Sequence, residues 1–219
     1  AYLRRFSLLR FWMPRDKALI DRLIGSGGAF YVLPLQLNSD AQIRDHSRFD
    51  GMVDVMEFVL ESFARCGPAD ARLLIKNHPL DMGLIDYAKV IRSICARLDL
   101  DGRIDYVESG DLTALLGAAR GVVTVNSTVG AQALLQNCPT VALSDPIYNL
   151  PGLTFQGSLD DFWTQARQPE RELFRRFRNT VIHTTQVNGG FYSRAGIELA
   201  IHNCLPRLEN ERSPLEELA

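Results

Sequence analysis

Residues 121–135, GVVTVNSTVGAQALL, decide the fold class of this chain. The opening GVVTV is a short, β-branched apolar run, which is typical of a buried strand. The run stops at Asn126, and Ser127 and Thr128 follow where a helix would begin. Val129 to Leu135 then favours a short helix. A buried strand that leads directly into a helix is one step of a βαβ unit.

The same alternation of strand and helix recurs about four times along the chain. Further strands are predicted at 30–37, 72–75, 103–107 and 140–143, and helices at 51–65, 85–98 and 112–119. Because such crossovers bring successive strands into a parallel sheet, the prediction is an α/β, Rossmann-like three-layer domain with a mostly parallel sheet. After residue 143 the patterns indicate helices only: a capping signature at 158–161 precedes an amphipathic stretch, and further helices are predicted at 170–183 and 193–205.

The predicted organisation has three parts: residues 1–28, the domain at 29–209, and a polar tail at 210–219. The first part interleaves four arginines with large apolar side chains. It is interpreted either as a linker helix that packs on the domain or a neighbour, or as a basic amphipathic helix for an anionic membrane surface.

Composition excludes several classes of protein. The chain has 219 residues and a formal net charge of −2, which argues against a general nucleic-acid binder. Apolar runs stay shorter than the roughly 18 residues of a membrane span, and a secretory signal is not recognisable. Four scattered cysteines without CxxC spacing favour buried thiols in a reducing cytoplasm.

In open α/β sheets, ligands bind beyond the carboxyl ends of the strands. The polar residues that follow the predicted strands are Asn38, Ser39 and Asp40; Lys76, Asn77 and His78; Glu108, Ser109 and Asp111; Asn126, Ser127 and Thr128; and Asp145 and Tyr148. They are expected to converge on one edge of the sheet, which is the candidate binding site.

The motif at Asn126–Gly130, NSTVG, is the sharpest local signal. A helix N-terminus offers unpaired N–H groups and a positive dipole end, the two hydroxyls add donors, and Gly130 permits close approach of an anion. The alternative is a simple Ser or Thr N-cap. Local features do not separate these two interpretations.

A second loop, Lys76-Asn-His78-Pro79, brings a cation and an imidazole together. His78 suits a donor to a phosphate oxygen, or an acid to a leaving phosphate, and a histidine bonded within its own loop is the structural alternative. Lys76 alone would usually be a solvated charge. Glu108 suits an acceptor from a ribose or base, or a solvated carboxylate at a strand end.

Asp40 lies in a loop, residues 38–50, that is longer than the usual βα connection of about 2–6 residues. Asp50 is predicted to cap the next helix, which leaves Asp40 without that task. Asp111 is predicted to cap the helix that begins at Leu112. The chain contains no GxGxxG, Walker or HExxH motif, so the sequence does not indicate the common classes of dinucleotide-binding protein, NTPase or zinc protease. No metal or cofactor is expected.

Five ordered stretches resemble the bacterial capsule polysaccharide biosynthesis family, the β-Kdo transferases of group 2-type capsules. They are LPLQLNSDAQI (33–43), LIKNHPLD (74–81), TVNSTVG (124–130), IYNLPGLTFQGSLDDFW (147–163) and TTQVNGGFY (184–192). The resemblance implies the nucleotide-sugar-binding half of a GT-B glycosyltransferase with CMP-Kdo as donor substrate. Its acceptor would be a lipid such as phosphatidylglycerol or its Kdo-extended form.

The resemblance also implies roles for individual residues. Asp40 would be the catalytic carboxylate, and His78 would act with it. The residues expected to bind the donor are Gln36, Lys76, His78, Glu108, Asn126, Ser127, Thr128, Gly130 and Tyr148. Charge alone makes Lys76 or Arg44 a candidate partner of the Kdo carboxylate.

Two other kinds of function stay open. One is a different GT-B-like enzyme, such as a CMP-sialic acid transferase or a UDP-sugar epimerase. The other is a non-catalytic module that binds a partner transferase or a membrane, because the acceptor half of a GT-B enzyme is missing from these 219 residues. The expected location is the cytoplasm, including its membrane face, and no nucleic-acid partner is expected.

Overall fold

A computed structural model describes residues 2–218 of the chain, with side chains from Trp12 onward. The chain divides into two compact units, which meet in the sequence between Glu170 and Arg171. The strands are β1 (Phe30–Pro34), β2 (Arg72–Lys76), β3 (Ile104–Val107), β4 (Gly121–Thr124) and β5 (Thr140–Ala142). The helices are α1 (Tyr2–Gly25), α2 (Ala41–Arg44), α3 (Met52–Cys66), α4 (Tyr87–Leu98), α5 (Leu112–Ala118), α6 (Thr128–Leu135), α7 (Leu159–Gln165), α8 (Arg171–Thr185) and α9 (Arg194–Glu209).

The first unit contains a five-stranded, parallel sheet in the order β3-β2-β1-β4-β5. Val32 of β1 stands opposite Leu74 of β2 on one side and Val122 of β4 on the other. This is the Rossmann-like fold that the alternating pattern predicts. The strand order reverses between β1 and β4, and such a switch point is where ligands bind in open α/β sheets.

Two apolar layers cover the faces of the sheet. On one face, α3, α4 and α7 bury an aromatic cluster of Tyr31, Phe63, Phe162 and Trp163. The Trp163 indole donates to Ser62 Oγ at 2.8 Å, and the Tyr31 hydroxyl donates to the Trp163 carbonyl. The buried polar ends of both rings therefore have partners, as dense packing requires.

The second layer is built by α1, α5 and α6, and α1 contributes more than cover. Ile20 and Leu23 are buried in this core at 4% and 5% exposure. Asp16 of α1 accepts three hydrogen bonds from the loop after β3, from the Glu108 N–H and from the Ser109 N–H and hydroxyl. The described part of α1 thus packs on the domain.

The membrane interpretation of the N-terminus depends on four arginines and their apolar neighbours, of which those before Trp12 have side chains outside the described residues. Within the described part, the Arg15 guanidinium lies 5.4 Å from the centroid of the Trp12 ring. Among the helices that the structure describes, none combines the length and the apolar character that a membrane crossing requires.

The second unit consists of α8, α9 and the segment after them. The Arg207 guanidinium donates to the carbonyls of His183 and Thr184, which terminates α8. Asn203 donates to the Asn188 carbonyl at 2.8 Å. The boundaries at residues 28 and 209 stay predictions. The four cysteines are free thiols, and Cys95 and Cys138 are buried.

Candidate functional site

An open cleft of about 700 Å³ lies at the carboxyl ends of β1, β4 and β5. Of the residues predicted to act in the site, those that line this cleft are Gln36, Asp40, His78, Asn126, Ser127, Thr128 and Tyr148. The remaining lining residues are Leu37, Gln42, His46, Ala131, Ser144, Asp145, Pro146 and Ile147. Loops that follow four strands therefore contribute to a single cavity.

The N-terminus of α6 forms one wall of the cleft. Ser127 is the N-cap, and its Oγ accepts a hydrogen bond from the Val129 N–H at 3.2 Å. Thr128 is the first residue of the helix and is exposed. The capping role is therefore present, and it leaves the exposed Thr128 hydroxyl and the positive end of the helix at the cleft.

Gly130 and Tyr148 support the first turn of α6 on its buried side. The Tyr148 side chain is buried, and its hydroxyl donates to the Ser127 carbonyl. Burial raises the pKa of Tyr148, so the hydroxyl stays a donor. A Cβ atom at position 130 would overlap the Tyr148 hydroxyl and ring. Gly130 does not line the cleft, and the absence of a side chain at this position provides the space that the Tyr148 ring occupies.

The Asn126 side chain holds the loop between β1 and α3 in place. Its Oδ1 accepts from Gln36 Nε2 at 3.0 Å, and its Nδ2 donates to the carbonyls of Gln42 at 2.7 Å and His46 at 3.2 Å. Ser144 also donates to the His46 carbonyl, at 2.6 Å. Asn126 thus connects β1 and β4 to the loop between β1 and α3, and its polar atoms are occupied within the protein.

Asp40 both lines the cleft and caps a helix. Its Oδ1 accepts from the Gln42 N–H at 3.0 Å, at the start of the four-residue helix α2. The prediction that Asp50 caps the helix α3 is wrong. Gly51 holds that position, and the Met52 N–H donates instead to Asn38 Oδ1 at 2.8 Å. An amide from the beginning of the loop therefore takes the place that local sequence assigned to a neighbouring carboxylate.

The His78 imidazole faces the same cleft from the end of β2. Its Nδ1 accepts a hydrogen bond from the Leu80 N–H at 3.1 Å. Burial lowers the pKa of His78 and the Lys76 ammonium lowers it further, while the carboxylates of Asp40 and Asp81 act in the opposite direction. A neutral ring whose Nδ1 accepts carries its proton on Nε2. The ring can therefore donate one hydrogen bond to an anionic oxygen.

Lys76, predicted as a donor-binding residue, does not line the cleft. It is only 7% exposed, and its Nζ lies 3.4 Å from the Asn77 carbonyl. Burial lowers its pKa, and the Asp16 carboxylate acts against that change. Arg44 is likewise engaged, in a two-pronged pair with its neighbour Asp45. Neither residue contributes to the wall of the cleft.

Glu108 also lies outside the cleft lining. It accepts from Asn77 Nδ2 at 2.8 Å and from the Tyr106 hydroxyl at 2.9 Å. Asn77, which is 2% exposed, in turn accepts from the His78 N–H at 2.8 Å. The carboxylate thus supports the His78 loop from behind. Asp111 caps α5 through the Ala114 N–H, as predicted.

The sequence-based site omitted the far end of the cleft. His46 belongs to the long loop between β1 and α3, and its unusual length was the available signal. Ile147, at 72% exposure, follows β5 together with Asp145, which the rule for strand ends did single out. Among the side chains that the structure describes, from residue 12 to residue 218, no group of three or more His, Cys, Asp or Glu is placed to hold a metal ion.

The fold and the cleft define a doubly wound α/β protein with a polar cleft at the switch point of its sheet. The chain belongs to the family of capsule polysaccharide biosynthesis proteins, which matches residues 11–192.

Two curated relatives are also capsule polysaccharide proteins. The chain is 40% identical over 171 residues to the capsule polysaccharide modification protein LipB of Neisseria meningitidis serogroup A, covering 78% of this chain and 41% of that protein. It is 38% identical over 163 residues to the capsule polysaccharide export protein KpsS of Escherichia coli, with 74% and 42% covered. The chain therefore spans about two fifths of the length of these relatives.

Among solved structures, the β-Kdo 2,7-transferase of Thermosulfurimonas dismutans KpsC aligns with a TM-score of 0.45 and 18% identity. That alignment covers 81% of this chain and 67% of the other.

Proposed function

We propose that this chain is the donor-binding part of a capsule polysaccharide glycosyltransferase that takes Kdo from CMP-Kdo. The observation that carries the proposal is one cleft in which the N-terminus of α6, with Thr128, and the His78 imidazole present hydrogen-bond donors. A helix N-terminus with a hydroxyl and an imidazole suits a phosphate group. Membership of the capsule biosynthesis family supports an activated sugar as the ligand.

The charge of the cleft favours a nucleoside monophosphate sugar. Among the described residues that line it, none is lysine or arginine, and Asp40 and Asp145 are acidic. Two adjacent phosphates usually require cationic side chains or a metal ion to offset their charge. A CMP-sugar has one phosphodiester in place of two adjacent phosphates, so its phosphate brings less negative charge to a cleft whose described lining has no lysine or arginine.

In this proposal Asp40 is the nucleophile. Its carboxylate attacks the anomeric carbon of Kdo, the bond to the phosphate oxygen breaks, and CMP leaves with the electron pair. An acceptor hydroxyl then attacks the anomeric carbon from the opposite face, the bond to the Asp40 carboxylate breaks with its electron pair staying on Asp40, and the hydroxyl proton passes to solvent water. Two inversions retain the configuration of the sugar. The acceptor is proposed to be a lipid such as phosphatidylglycerol or its Kdo-extended form.

Calorimetry with CMP, CMP-Kdo, UMP and UDP tests the donor assignment. CMP and CMP-Kdo are expected to bind more tightly than UMP or UDP. Equal or tighter binding of UDP contradicts the proposal and favours a UDP-sugar enzyme. Binding of CMP without turnover in the full-length gene product would favour a non-catalytic module.

A pair of serine variants locates the nucleotide. Ser127 caps α6 at the cleft, and Ser158 caps α7 outside it through the Asp161 N–H. Ser127→Ala is expected to weaken CMP by about 1–3 kcal/mol, because it removes a hydroxyl and loosens the helix start beside the phosphate. Ser158→Ala removes an equivalent cap and should leave CMP affinity unchanged. Equal effects of both variants would mean that only folding is affected.

A further inference from the structure

The segment that follows β5 forms one end of the cleft and is fixed at both of its own ends. The Ser144 hydroxyl donates to the His46 carbonyl at 2.6 Å. Four residues later, the hydroxyl of the buried Tyr148 donates to the Ser127 carbonyl. Residues 145–147 lie between these two anchors, and they are therefore held as a defined edge of the cleft.

This edge of the cleft carries two side chains of different chemistry. Asp145 and Ile147 both line the cavity, and Ile147 is 72% exposed. Pro146 lies between them and fixes its own backbone angle φ. Asp145 is exposed, and among the residues that the structure describes none forms a hydrogen bond or an ion pair with its carboxylate. The edge therefore offers a ligand one carboxylate acceptor and one apolar surface.

The order of the strands fixes where this edge lies relative to the phosphate position. Taken in the order of their strands from β2 to β5, residues that line the cleft are His78, Asp40, Thr128 and Asp145. A phosphate that is bound by both His78 and Thr128 lies above β1, between the strands that carry them. Glu108, which follows β3, is outside the lining. The described lining therefore extends from the phosphate toward β5 rather than toward β3.

The distance from β1 to β5 suits a nucleoside. Neighbouring strands lie about 4.8 Å apart, so β5, two strands away, is roughly 10 Å from β1. A ribose and a pyrimidine base that extend from a phosphate above β1 span a distance of this order, which brings the base to Asp145 and Ile147. Bases stack on apolar side chains. A carboxylate accepts from the amino group of cytosine, the pairing by which proteins recognise that base in nucleic acids.

We propose that Asp145 determines the base specificity of the donor site: its carboxylate accepts a hydrogen bond from the amino group on C4 of cytosine, and Ile147 packs against the ring. This inference rests on the proposed function, in which the ligand is a cytidine monophosphate sugar. Uracil carries a carbonyl oxygen at the same position. Two acceptors would then face each other, and both would lose their hydrogen bonds to water, so uridine nucleotides are rejected.

Two other carboxylates near the cleft have different tasks. Glu108, a candidate acceptor from a ribose or base on sequence grounds, accepts from Asn77 Nδ2 at 2.8 Å and from the Tyr106 hydroxyl at 2.9 Å, outside the lining. Asp40 accepts from the Gln42 N–H at 3.0 Å, and the proposed function assigns it to the sugar. Asp145 is the carboxylate of the described lining that neither capping nor the proposed chemistry uses.

Calorimetry of the full-length gene product with CMP, UMP and 2′-deoxy-CMP tests the proposal. The wild-type protein should bind CMP about 10- to 100-fold more tightly than UMP, the range that one hydrogen bond to a charged group provides. Asp145→Asn should bring the two affinities within about threefold of each other, because its amide can turn either its oxygen to cytosine or its NH₂ to uracil. Asp70→Asn removes an exposed carboxylate before β2, at the opposite edge of the sheet, and should keep the wild-type preference.

Three results would overturn the proposal. A preference for CMP over UMP that survives in Asp145→Asn means that another group recognises the base. An equal loss of affinity for CMP and UMP, together with the loss of any preference for CMP over 2′-deoxy-CMP, places the carboxylate at the ribose. In both of these cases CMP still binds, and transfer from CMP-Kdo by the wild-type protein leaves the proposed function standing. If the wild-type protein binds none of the nucleotides, the proposed function and this inference fail together.

Discussion

The Tyr148 ring occupies the space beside Gly130 where any other residue would place its Cβ atom: a Cβ there would overlap the Tyr148 hydroxyl and ring. Through this contact the buried Tyr148 hydroxyl reaches the Ser127 carbonyl and supports the first turn of α6. The glycine of the NSTVG motif therefore acts through packing, whereas Asn126, Ser127 and Thr128 line the cleft.

Gly130→Ala should lower the free energy of unfolding by about 1–3 kcal/mol, the usual cost of overpacking, and weaken CMP as the helix start shifts. Urea unfolding and calorimetry measure both. Gly117→Ala is the matched control, because a Cβ there meets only Gln136 Oε1, at 3.9 Å, in an exposed turn of α5. That variant should be neutral or slightly stabilising. If Gly130→Ala behaves like Gly117→Ala, the packing account is wrong.

Asp40→Asn separates two roles of Asp40. Asparagine caps helices as well as aspartate does, so α2 and CMP affinity should be retained. Transfer from CMP-Kdo by the full-length gene product should fall by about 1000-fold or more, because the nucleophile is lost. Asp111→Asn, at the cap of α5, controls for the loss of one charge. Transfer within about tenfold of wild type would exclude Asp40 as the nucleophile.

Asn126→Ala should free the loop between β1 and α3. The variant leaves the carbonyls of Gln42 and His46 without the amide that binds them, which should cost about 1–3 kcal/mol of stability. Hydrogen exchange should accelerate in the amides of residues 41–47. Asn149→Ala removes a comparable amide from the loop after β5 and should leave exchange at 41–47 unchanged. Uniform acceleration in both variants would contradict a local role.

The depressed pKa of His78 predicts a loss of stability in acid. The unfolded chain takes up a proton near pH 6.5, before the folded protein does, so this group makes stability fall as the pH drops below about 7. His78→Gln should therefore lose less stability than wild type between pH 7.5 and 5.5, as thermal melting at each pH would show.

The raised pKa of Asp16 has the opposite sign, since the folded protein then binds more protons than the unfolded chain. Asp16 is present in both proteins and cancels in the comparison. His202→Gln, which removes an exposed imidazole of the second unit, should keep the wild-type profile. Identical pH profiles of His78→Gln and wild type would show that His78 is not held neutral by the fold.

Sequence patterns predicted most of what is local in this protein. The strands and helices follow from apolar runs and 3.6-residue periods, and Ser127, Asp111 and Ser158 cap the helices they precede. The first strand ends earlier than predicted, at Pro34. Proline has no N–H for a ladder hydrogen bond, and the Gln36 side chain donates to Asn126, which follows the neighbouring strand β4.

What the sequence could not predict depends on partners far along the chain. Asn38 accepts a hydrogen bond from the N–H of Met52, 14 residues later, at the start of α3, whereas the local sequence favoured Asp50 as the cap. Lys76 follows an apolar run and resembles a solvated strand end, but it is buried, and the Asp16 carboxylate of α1 acts on it electrostatically. Residue spacing does not indicate which distant parts of the chain pack on a strand end. The sequence alone therefore could not predict that Lys76 is buried or that Glu108 supports the His78 loop.

The packing of α1 has a consequence for trimming the protein. A fragment that begins at residue 29 would start just before β1, but it would lack Ile20 and Leu23 from the second apolar layer. It would also leave the Glu108 and Ser109 N–H groups without their acceptor, and Lys76 without the carboxylate of Asp16. Limited proteolysis should therefore cut ahead of Asp16 rather than at the start of the sheet. The smallest stable piece of this protein should begin within its first helix.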